Sequence, residues 1–175
     1  CALAASKREI AIAHVEAGLR SKDRTMPEEI TRIITDALSD VLFTYSQDAD
    51  ENLQAENVPE NCIFRVGNLM IDTLFTFREK SKNSQILNKL LLDEKKYILA
   101  TLHRPSNVDT PENLSNFVYV IENVSERIPV VFQLHPRTRE RLKEFNLISQ
   151  LEKLSNIILI GPQGYLDIIK LQENS

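Results

Sequence analysis

The sequence is poor in the residues that mark several specialised classes of protein. It has no tryptophan, two cysteines, two methionines and four glycines among 175 residues, and aromatic side chains make up 6% of it. Cys1 and Cys62 are far apart and match no metal-ligand spacing, so we expect two reduced thiols and no metal site. A disulfide-rich secreted scaffold is thereby excluded.

Long apolar runs and an excess of positive charge are also missing. No apolar stretch approaches the roughly 20 residues that span a bilayer, and no secretory signal pattern opens the sequence. The formal net charge is -4 and the pI is about 5.5, whereas proteins that bind nucleic acid are usually basic. We therefore expect a cytoplasmic protein with neither a membrane nor a nucleic-acid partner.

Short apolar runs alternate with amphipathic stretches along the whole sequence. Strands alternating with helices of this kind predict βαβ units, mostly parallel sheets and an α/β fold with helices on both faces. The predicted strands are residues 10–15, 41–45, 62–66, 97–102, 129–134 and 157–160.

Three local predictions go further. Residues 10–15 have the near-continuous apolar pattern of a strand that is buried on both faces. Pro27 is expected to open a helix, and the apolar residues at helical spacing in that helix predict a buried stripe. The polar residues 80–88 predict an interdomain linker or a helix beside one. The predicted stripe consists of Ile30, Ile33, Ile34, Ala37 and Leu38.

Unusual residues follow the predicted strands, where parallel α/β sheets bind ligands. Each histidine alone is more often structural, but all three lie at strand ends, and this favours a site. They share no metal-ligand spacing. Arginines suit an anionic ligand, and a cationic His103 would hydrogen-bond or protonate a leaving diphosphate. The strand-end residues are His14, Glu16, His103, Arg104, His135, Arg137 and the segment 161–164.

Carboxylates supply the other half of a candidate site. Glu16 directly follows a predicted buried strand, and Glu28 lies at the mouth of the helix that Pro27 opens. Such a pair beside a phosphate clamp has the groups needed to remove and return a proton at carbon. The alternative for Glu28 and Glu29 is that they only complement the helix dipole. No motif for a nicotinamide cofactor or a serine nucleophile is present.

Taken together, six motifs resemble the non-hydrolysing UDP-N-acetylglucosamine 2-epimerases. The resemblance covers nearly the whole sequence, and HVEAGLRS followed by PEE is its most specific part. Thr31 and Ser106 depart from the family pattern, which has Asn and Glu there. The motifs are HVEAGLRS at 14–21, MPEEITR at 26–32, VGNLMIDTL at 66–74, TLHRPSNVD at 101–109, LHPRTRERL at 134–142 and GPQGYLDIIKL at 161–171.

The resemblance implies two Rossmann-like domains in the glycosyltransferase B arrangement, with the substrate in the cleft between them. Residues 1–80 would be the last part of the first domain, and 81–175 the first part of the nucleotide-binding domain, both incomplete. Family segments that bind phosphate and nucleotide would precede residue 1 and follow residue 175. We therefore expect an internal piece of a longer polypeptide, inactive by itself.

The resemblance also implies a reaction. UDP-GlcNAc and UDP-ManNAc would interconvert by loss and re-addition of UDP through a 2-acetamidoglucal, in cell-surface polysaccharide synthesis, without a cofactor and in a homodimer. Glu16 and Glu28 match the acid/base carboxylates, and His103 the histidine at the diphosphate. Arg104, Arg137 and Gly164 are the further substrate-binding candidates, and Glu29 and His135 match a regulatory UDP-GlcNAc site. Three alternatives remain: a hydrolysing 2-epimerase that releases ManNAc and UDP, a non-catalytic UDP-sugar-binding protein, and a glycosyltransferase of this fold.

Overall fold

Two parallel β-sheets, one in each of two units, form the framework of the molecule. The computed structural model describes residues 1–175 and divides into the units Cys1–Thr73 and Leu74–Ser175. Each sheet has three strands, and every strand pair is parallel. The predicted α/β class with parallel sheets is therefore confirmed.

Unit 1 contains a sheet in the order β1-β2-β3. Its small core consists of Ala17, Leu42 and Leu53, with Val58, Cys62 and Ile63 packed against it. The elements are α1 Ala2–Ser6, β1 Ala13–Val15, α2 Pro27–Ala37, β2 Val41–Thr44, α3 Gln47–Ala55, a 3₁₀ turn Glu60–Cys62, β3 Ile63–Arg65 and the start of α4 Leu69–Ser81.

Unit 2 contains a sheet in the order β4-β5-β6 with a core on each face. The middle strand explains this arrangement: Val130, Phe132 and Leu134 enter one core, and Val131 enters the other, as a strand buried on both faces requires. The elements are α5 Ile86–Leu90, β4 Ile98–Leu102, α6 Pro105–Val108, α7 Pro111–Ser125, β5 Val130–Leu134, α8 Pro136–Glu144, α9 Ile148–Glu152, β6 Ile157–Ile160 and α10 Tyr165–Glu173.

The first strand and the helix after it differ from their predictions. β1 covers only Ala13–Val15 and pairs with β2 alone; within residues 1–175, Ala13 and Val15 are exposed and His14 is half-buried. Within α2 the buried residues are Glu29 and Asp36, whereas Ile30 and Ile34 are 38% and 48% exposed. The predicted apolar stripe is therefore not the buried face, because α2 turns its two carboxylates toward the loop after β1.

The segment 80–88 is not a linker throughout. α4 extends to Ser81, and α5 begins at Ile86, where Ile86 and Leu87 are buried beside Tyr97. The division between the two compact units falls after Thr73, inside α4, and the domain boundary expected near residue 80 stays a prediction. No helix in residues 1–175 is both long enough and apolar enough to cross a membrane.

Candidate active site

Glu16 lies at the carboxyl end of β1, where the strand ladder stops. The backbone N–H groups of Glu16 and Ala17 both donate to the carbonyl oxygen of Phe43, each at 3.0 Å. Glu16 has a φ of 74°, a left-handed conformation that is uncommon for a residue with a side chain. Outliers of this kind cluster at functional sites, because the surrounding structure must hold them in place.

A cavity of about 200 Å³ adjoins Glu16 at the carboxyl ends of the three strands of unit 1. Its walls are mainly apolar, with Val15, Phe43 and Val66 among them, and Tyr45 and Asn68 add polar groups. Mostly apolar cavities with a few polar groups are typical of small-molecule sites. The structure therefore places one predicted acid/base residue at a concave surface.

Gly18 brings the loop after β1 against helix α3. Its φ is 79°, and a Cβ atom built there would lie 2.3 Å from the carbonyl oxygen of Ala49. The amide of Asn52 also donates to the Gly18 carbonyl at 3.0 Å. Only glycine fits this position, because any larger residue would meet backbone atoms of α3.

Glu28 and Glu29 are neighbours in α2 with opposite environments. Glu28 is exposed, in a shallow depression with Pro27, Thr31 and Arg32, and it does not line the cavity beside Glu16. Glu29 is 2% exposed, and its carboxylate accepts the backbone N–H groups of Ser21 at 2.8 Å and Lys22 at 2.9 Å. Both carboxylate oxygens of Glu29 thus already bind the loop after β1. The predicted role of Glu29 in a regulatory site stays a prediction.

In unit 2 the structure brings two predicted histidines together. His103 follows β4 and His135 follows β5, and their ring centroids are 5.8 Å apart. His135 caps α8, because its Nδ1 accepts the backbone N–H of Arg137 at 3.3 Å. Both rings are therefore near a helix N-terminus at the carboxyl edge of the sheet, where an anion is favoured.

The two predicted arginine ligands differ in availability. Arg104 is exposed and forms no ion pair within residues 1–175. The Arg137 guanidinium binds both carboxylate oxygens of Asp109, and Arg141 Nε donates to the same carboxylate at 3.3 Å. The hydrogen bonds from Arg137 hold the pKa of Asp109 below its usual range, against the effect of burial. A phosphate would have to compete with Asp109 for Arg137.

Gly164 is the N-cap of α10 and has an ordinary φ of -64°. The only atom near a Cβ built there is Asp167 Oδ2, at 3.9 Å. Neither strain nor crowding within the chain therefore requires glycine at this position, and its predicted role in substrate binding remains a prediction. No group of three or more His, Cys, Asp or Glu side chains in residues 1–175 is arranged to hold a metal ion.

Comparison with known proteins connects this geometry to a family. The family model described as UDP-N-acetylglucosamine 2-epimerase matches residues 1–175. The chain belongs to the UDP-N-acetylglucosamine 2-epimerase family. The family predicted from the motifs is thereby confirmed.

Individual relatives are similar over the same range. A UDP-N-acetylglucosamine 2-epimerase homolog of Methanococcus maripaludis is 47% identical over 99% of this chain and 48% of its own length. A UDP-2,3-diacetamido-2,3-dideoxy-D-glucuronate 2-epimerase of Pseudomonas aeruginosa is 39% identical over 99% of this chain and 47% of its own length. The chain thus spans about half the length of these relatives.

A solved structure supports the fold assignment. The crystal structure of Methanocaldococcus jannaschii UDP-GlcNAc 2-epimerase in complex with UDP-GlcNAc and UDP has a TM-score of 0.89 and 42% identity. The match covers 99% of this chain and 49% of that one. The glycosyltransferase B type of fold expected from the motifs is confirmed by this similarity.

The sequence-based interpretation missed Asp36, Arg20 and Asp109. Asp36 and Arg20 form a buried ion pair in unit 1, with Arg20 Nη1 2.7 Å from Asp36 Oδ2. One signal for Asp36 was available, because it lies seven residues after Glu29 in α2 and therefore on the same helix face. Asp109 gave no such signal, since its partners Arg137 and Arg141 come from a distant segment.

Replacing Glu29 by glutamine is expected to destabilise the protein at neutral pH and to have little effect in acid. The N–H of Ser21 is the main reason that the pKa of Glu29 lies below its usual range; burial opposes this effect and Lys22 adds to it. A carboxyl with a lowered folded-state pKa contributes stability above its unfolded pKa, and this is lost as the pH falls through the folded value.

Thermal unfolding of the native protein and of Glu29→Gln, measured from pH 7 into the acid range, tests this expectation. The gap in melting temperature should be present at pH 7 and close on acidification. Glu28→Gln is the matched control for stability, because the exposed Glu28 accepts no such backbone bonds. A gap that is independent of pH would contradict the assignment.

Proposed function

We propose that the full polypeptide interconverts UDP-GlcNAc and UDP-ManNAc, with Glu16 and Glu28 as the proton-transfer groups. In this reaction a carboxylate takes the proton from C2 while the C1–O bond breaks and UDP leaves with the bonding electrons. The 2-acetamidoglucal then takes up a proton at C2 from the opposite face as UDP re-adds at C1. No redox cofactor is required, because the oxidation state of the sugar is unchanged overall.

The placement of Glu16 is the observation that carries this proposal. Its carboxylate lies at the end of a β-strand, beside an apolar cavity, on a backbone held in a left-handed conformation. A general base must be held within hydrogen-bond reach of the proton that it removes. The Methanocaldococcus jannaschii relative, whose structure contains UDP-GlcNAc and UDP, supports the same substrate for this chain.

Unit 2 supplies groups that suit the diphosphate. His103 and His135 lie together at the carboxyl edge of its sheet, and the exposed Arg104 follows His103 directly. A protonated His103 would stabilise the UDP leaving group by a charge-assisted hydrogen bond. Arg137 would join the site on exchanging Asp109 for a phosphate oxygen. Gly164, at the start of α10, would place backbone N–H groups near the nucleotide.

Further parts of the proposal concern the location, pathway, assembly and regulation of the enzyme. We assign the enzyme to the cytoplasm, where UDP-sugars would be its substrates, and its product to cell-surface polysaccharide synthesis. We also propose a homodimer, and a regulatory UDP-GlcNAc site that includes His135 and Glu29. These assignments rest on family membership.

One relative favours a second substrate. The Pseudomonas aeruginosa protein acts, by its name, on a 2,3-diacetamido uronate linked to UDP, at 39% identity. The bond chemistry at C2 is the same for both sugars, so Glu16 would serve either. UDP-2,3-diacetamido-2,3-dideoxyglucuronate is therefore the second substrate to test.

Incubating the full-length protein with each UDP-sugar in deuterated water is expected to incorporate one deuterium at C2 of UDP-GlcNAc. Mass spectrometry of the intact UDP-sugar and NMR of its C2 position measure this, because solvent deuterium enters only if the C–H bond breaks. A Glu16→Gln protein serves as the matched control.

Each other product distribution points to a different function. Free ManNAc with UDP would indicate the hydrolysing reaction. Deuterium only in the diacetamido sugar would reassign the substrate. Binding of UDP-GlcNAc without exchange or hydrolysis would contradict the epimerase and favour a binding protein.

A further inference from the structure

The buried carboxylate of Asp36 binds residues on both sides of Glu16 in the loop that carries it. The Asp36 side chain is 1% exposed, on the inner face of α2. Its carboxylate accepts the Gly18 N–H at 3.1 Å and Arg20 Nη1 at 2.7 Å, and its other oxygen contacts His14 Nδ1. His14 precedes Glu16 and the other two partners follow it, so the loop is held on both sides of Glu16.

Two partners of Asp36, Arg20 and Gly18, are fixed in turn by hydrogen bonds to other residues. Arg20 is 5% exposed in its side chain and donates to both carboxylate oxygens of Glu56, from Nε at 2.7 Å and Nη2 at 2.6 Å. These hydrogen bonds raise the pKa of Arg20, so the guanidinium stays charged. Gly18 is held through its carbonyl by Asn52. The loop is thus connected to α2 on one side and to the end of α3 on the other.

The hydrogen bonds of Asp36 and the packing of Gly18 restrict the conformation of the loop that carries Glu16. A buried carboxylate is tolerated only when its hydrogen bonds are satisfied. Any shift of the loop would separate Asp36 from at least one donor, and Gly18 cannot move closer to α3 because of the Ala49 carbonyl. The left-handed backbone of Glu16 therefore persists because both sides of it are anchored.

We propose that Asp36 is a positioning residue, which acts through the loop 14–20 to hold the Glu16 carboxylate at the reacting carbon. This inference rests on the proposed function, in which Glu16 transfers the proton. Asp36 itself touches no substrate in this scheme, because it is buried behind the loop. Its role is to keep Glu16 within the narrow geometry that proton transfer requires.

The first test replaces Asp36 by asparagine in the full-length protein. We expect kcat for C2 exchange to fall by about 10–10²-fold, because a misplacement of about 1 Å can cost 10²-fold. We expect KM for UDP-GlcNAc to stay unchanged. Asp48→Asn, at an exposed position at the start of α3, is the matched control and should leave both constants unchanged. A rise in KM with kcat preserved would overturn the proposal.

A double-mutant cycle separates positioning from a merely structural role. If Asp36 acts through Glu16, adding Asp36→Asn to Glu16→Gln should lower the residual exchange rate no further. If the two effects multiply, Asp36 acts independently of Glu16 and the proposal is wrong. Slow residual rates are measurable by deuterium incorporation over long incubations.

Amide hydrogen exchange keeps the inference separate from the proposed function. The N–H groups of Glu16 and Ala17 should be protected in the native protein and lose protection in Asp36→Asn. If the native enzyme exchanges no substrate but this protection is lost, the proposed function fails and the anchoring of the loop stands. Unchanged protection at these two amides would overturn the inference.

A second variant covers the case in which Asp36→Asn does not fold. Arg20→Lys keeps the charge but cannot reach Asp36 and both Glu56 oxygens together. It should show the same pattern, a lower kcat with an unchanged KM and less protected Glu16 and Ala17 amides. Native-like values for both measurements would overturn the inference.

Discussion

Replacing Glu16 by glutamine is expected to lower the rate of C2 exchange by about 10²–10⁴-fold, the usual contribution of an acid/base group. Glutamine has nearly the same shape but cannot accept the proton. Glu16 is exposed at the rim of its cavity, and only its backbone is bound to β2. The substitution should therefore leave folding and UDP affinity nearly unchanged. Deuterium incorporation into UDP-GlcNAc and calorimetric titration with UDP measure the two quantities.

A matched control shows that charge alone is not responsible. Glu60→Gln removes the same charge from the same unit, at an exposed position in the 3₁₀ turn. Its exchange rate should equal that of the native protein. Near-normal turnover in Glu16→Gln would contradict the role assigned to Glu16, whereas lost UDP binding would point to a role in substrate affinity.

Replacing Gly18 by alanine is expected to destabilise the protein by about 2–5 kcal/mol, from roughly 1–2 kcal/mol of left-handed strain and roughly 1–3 kcal/mol of overpacking. The added Cβ would lie 2.3 Å from the Ala49 carbonyl oxygen, so the loop or α3 must move. A movement of the loop would also disturb the hydrogen bond from the Gly18 N–H to Asp36. Denaturant unfolding of the full-length protein measures the loss.

Gly67→Ala is the matched control for the destabilisation expected of Gly18→Ala. Gly67 also has a positive φ, 86°, but no atom lies within 4 Å of the Cβ position. Its cost should be limited to the backbone strain of roughly 1–2 kcal/mol. If the two alanine variants are equally destabilised, close packing against Ala49 is not what requires glycine at position 18.

The strands of unit 2 show why so much of the fold was predictable. β5 is an apolar run that is interrupted only by Gln133, and residues on both of its faces are buried, as the pattern indicates. β1 shows the limit of the same argument, because its apolar run looks similar and yet the strand is half exposed. Sequence pattern reports which residues favour burial, but the elements that pack against each face of a strand decide whether that face is covered.

The α2 helix shows the same limit at the candidate site. Its start at Pro27 and its helical period follow from local propensity, which acts over a few residues. The orientation of α2 does not follow from local propensity, because its buried face carries Glu29 and Asp36 rather than isoleucines. Burying two carboxylates is favourable only with donors in place, and those donors come from the loop 14–22, on another element.

The motifs by themselves determined the family, the α/β class and the candidate residues at the strand ends, because these depend on residue identity and local period. Only the tertiary structure showed that Glu16 has a left-handed backbone beside a cavity, that Asp109 binds Arg137, and that Asp36 holds the loop of Glu16. These features depend on contacts between residues far apart in the chain. The free energy of a buried charge is decided by such partners, and no local pattern encodes them.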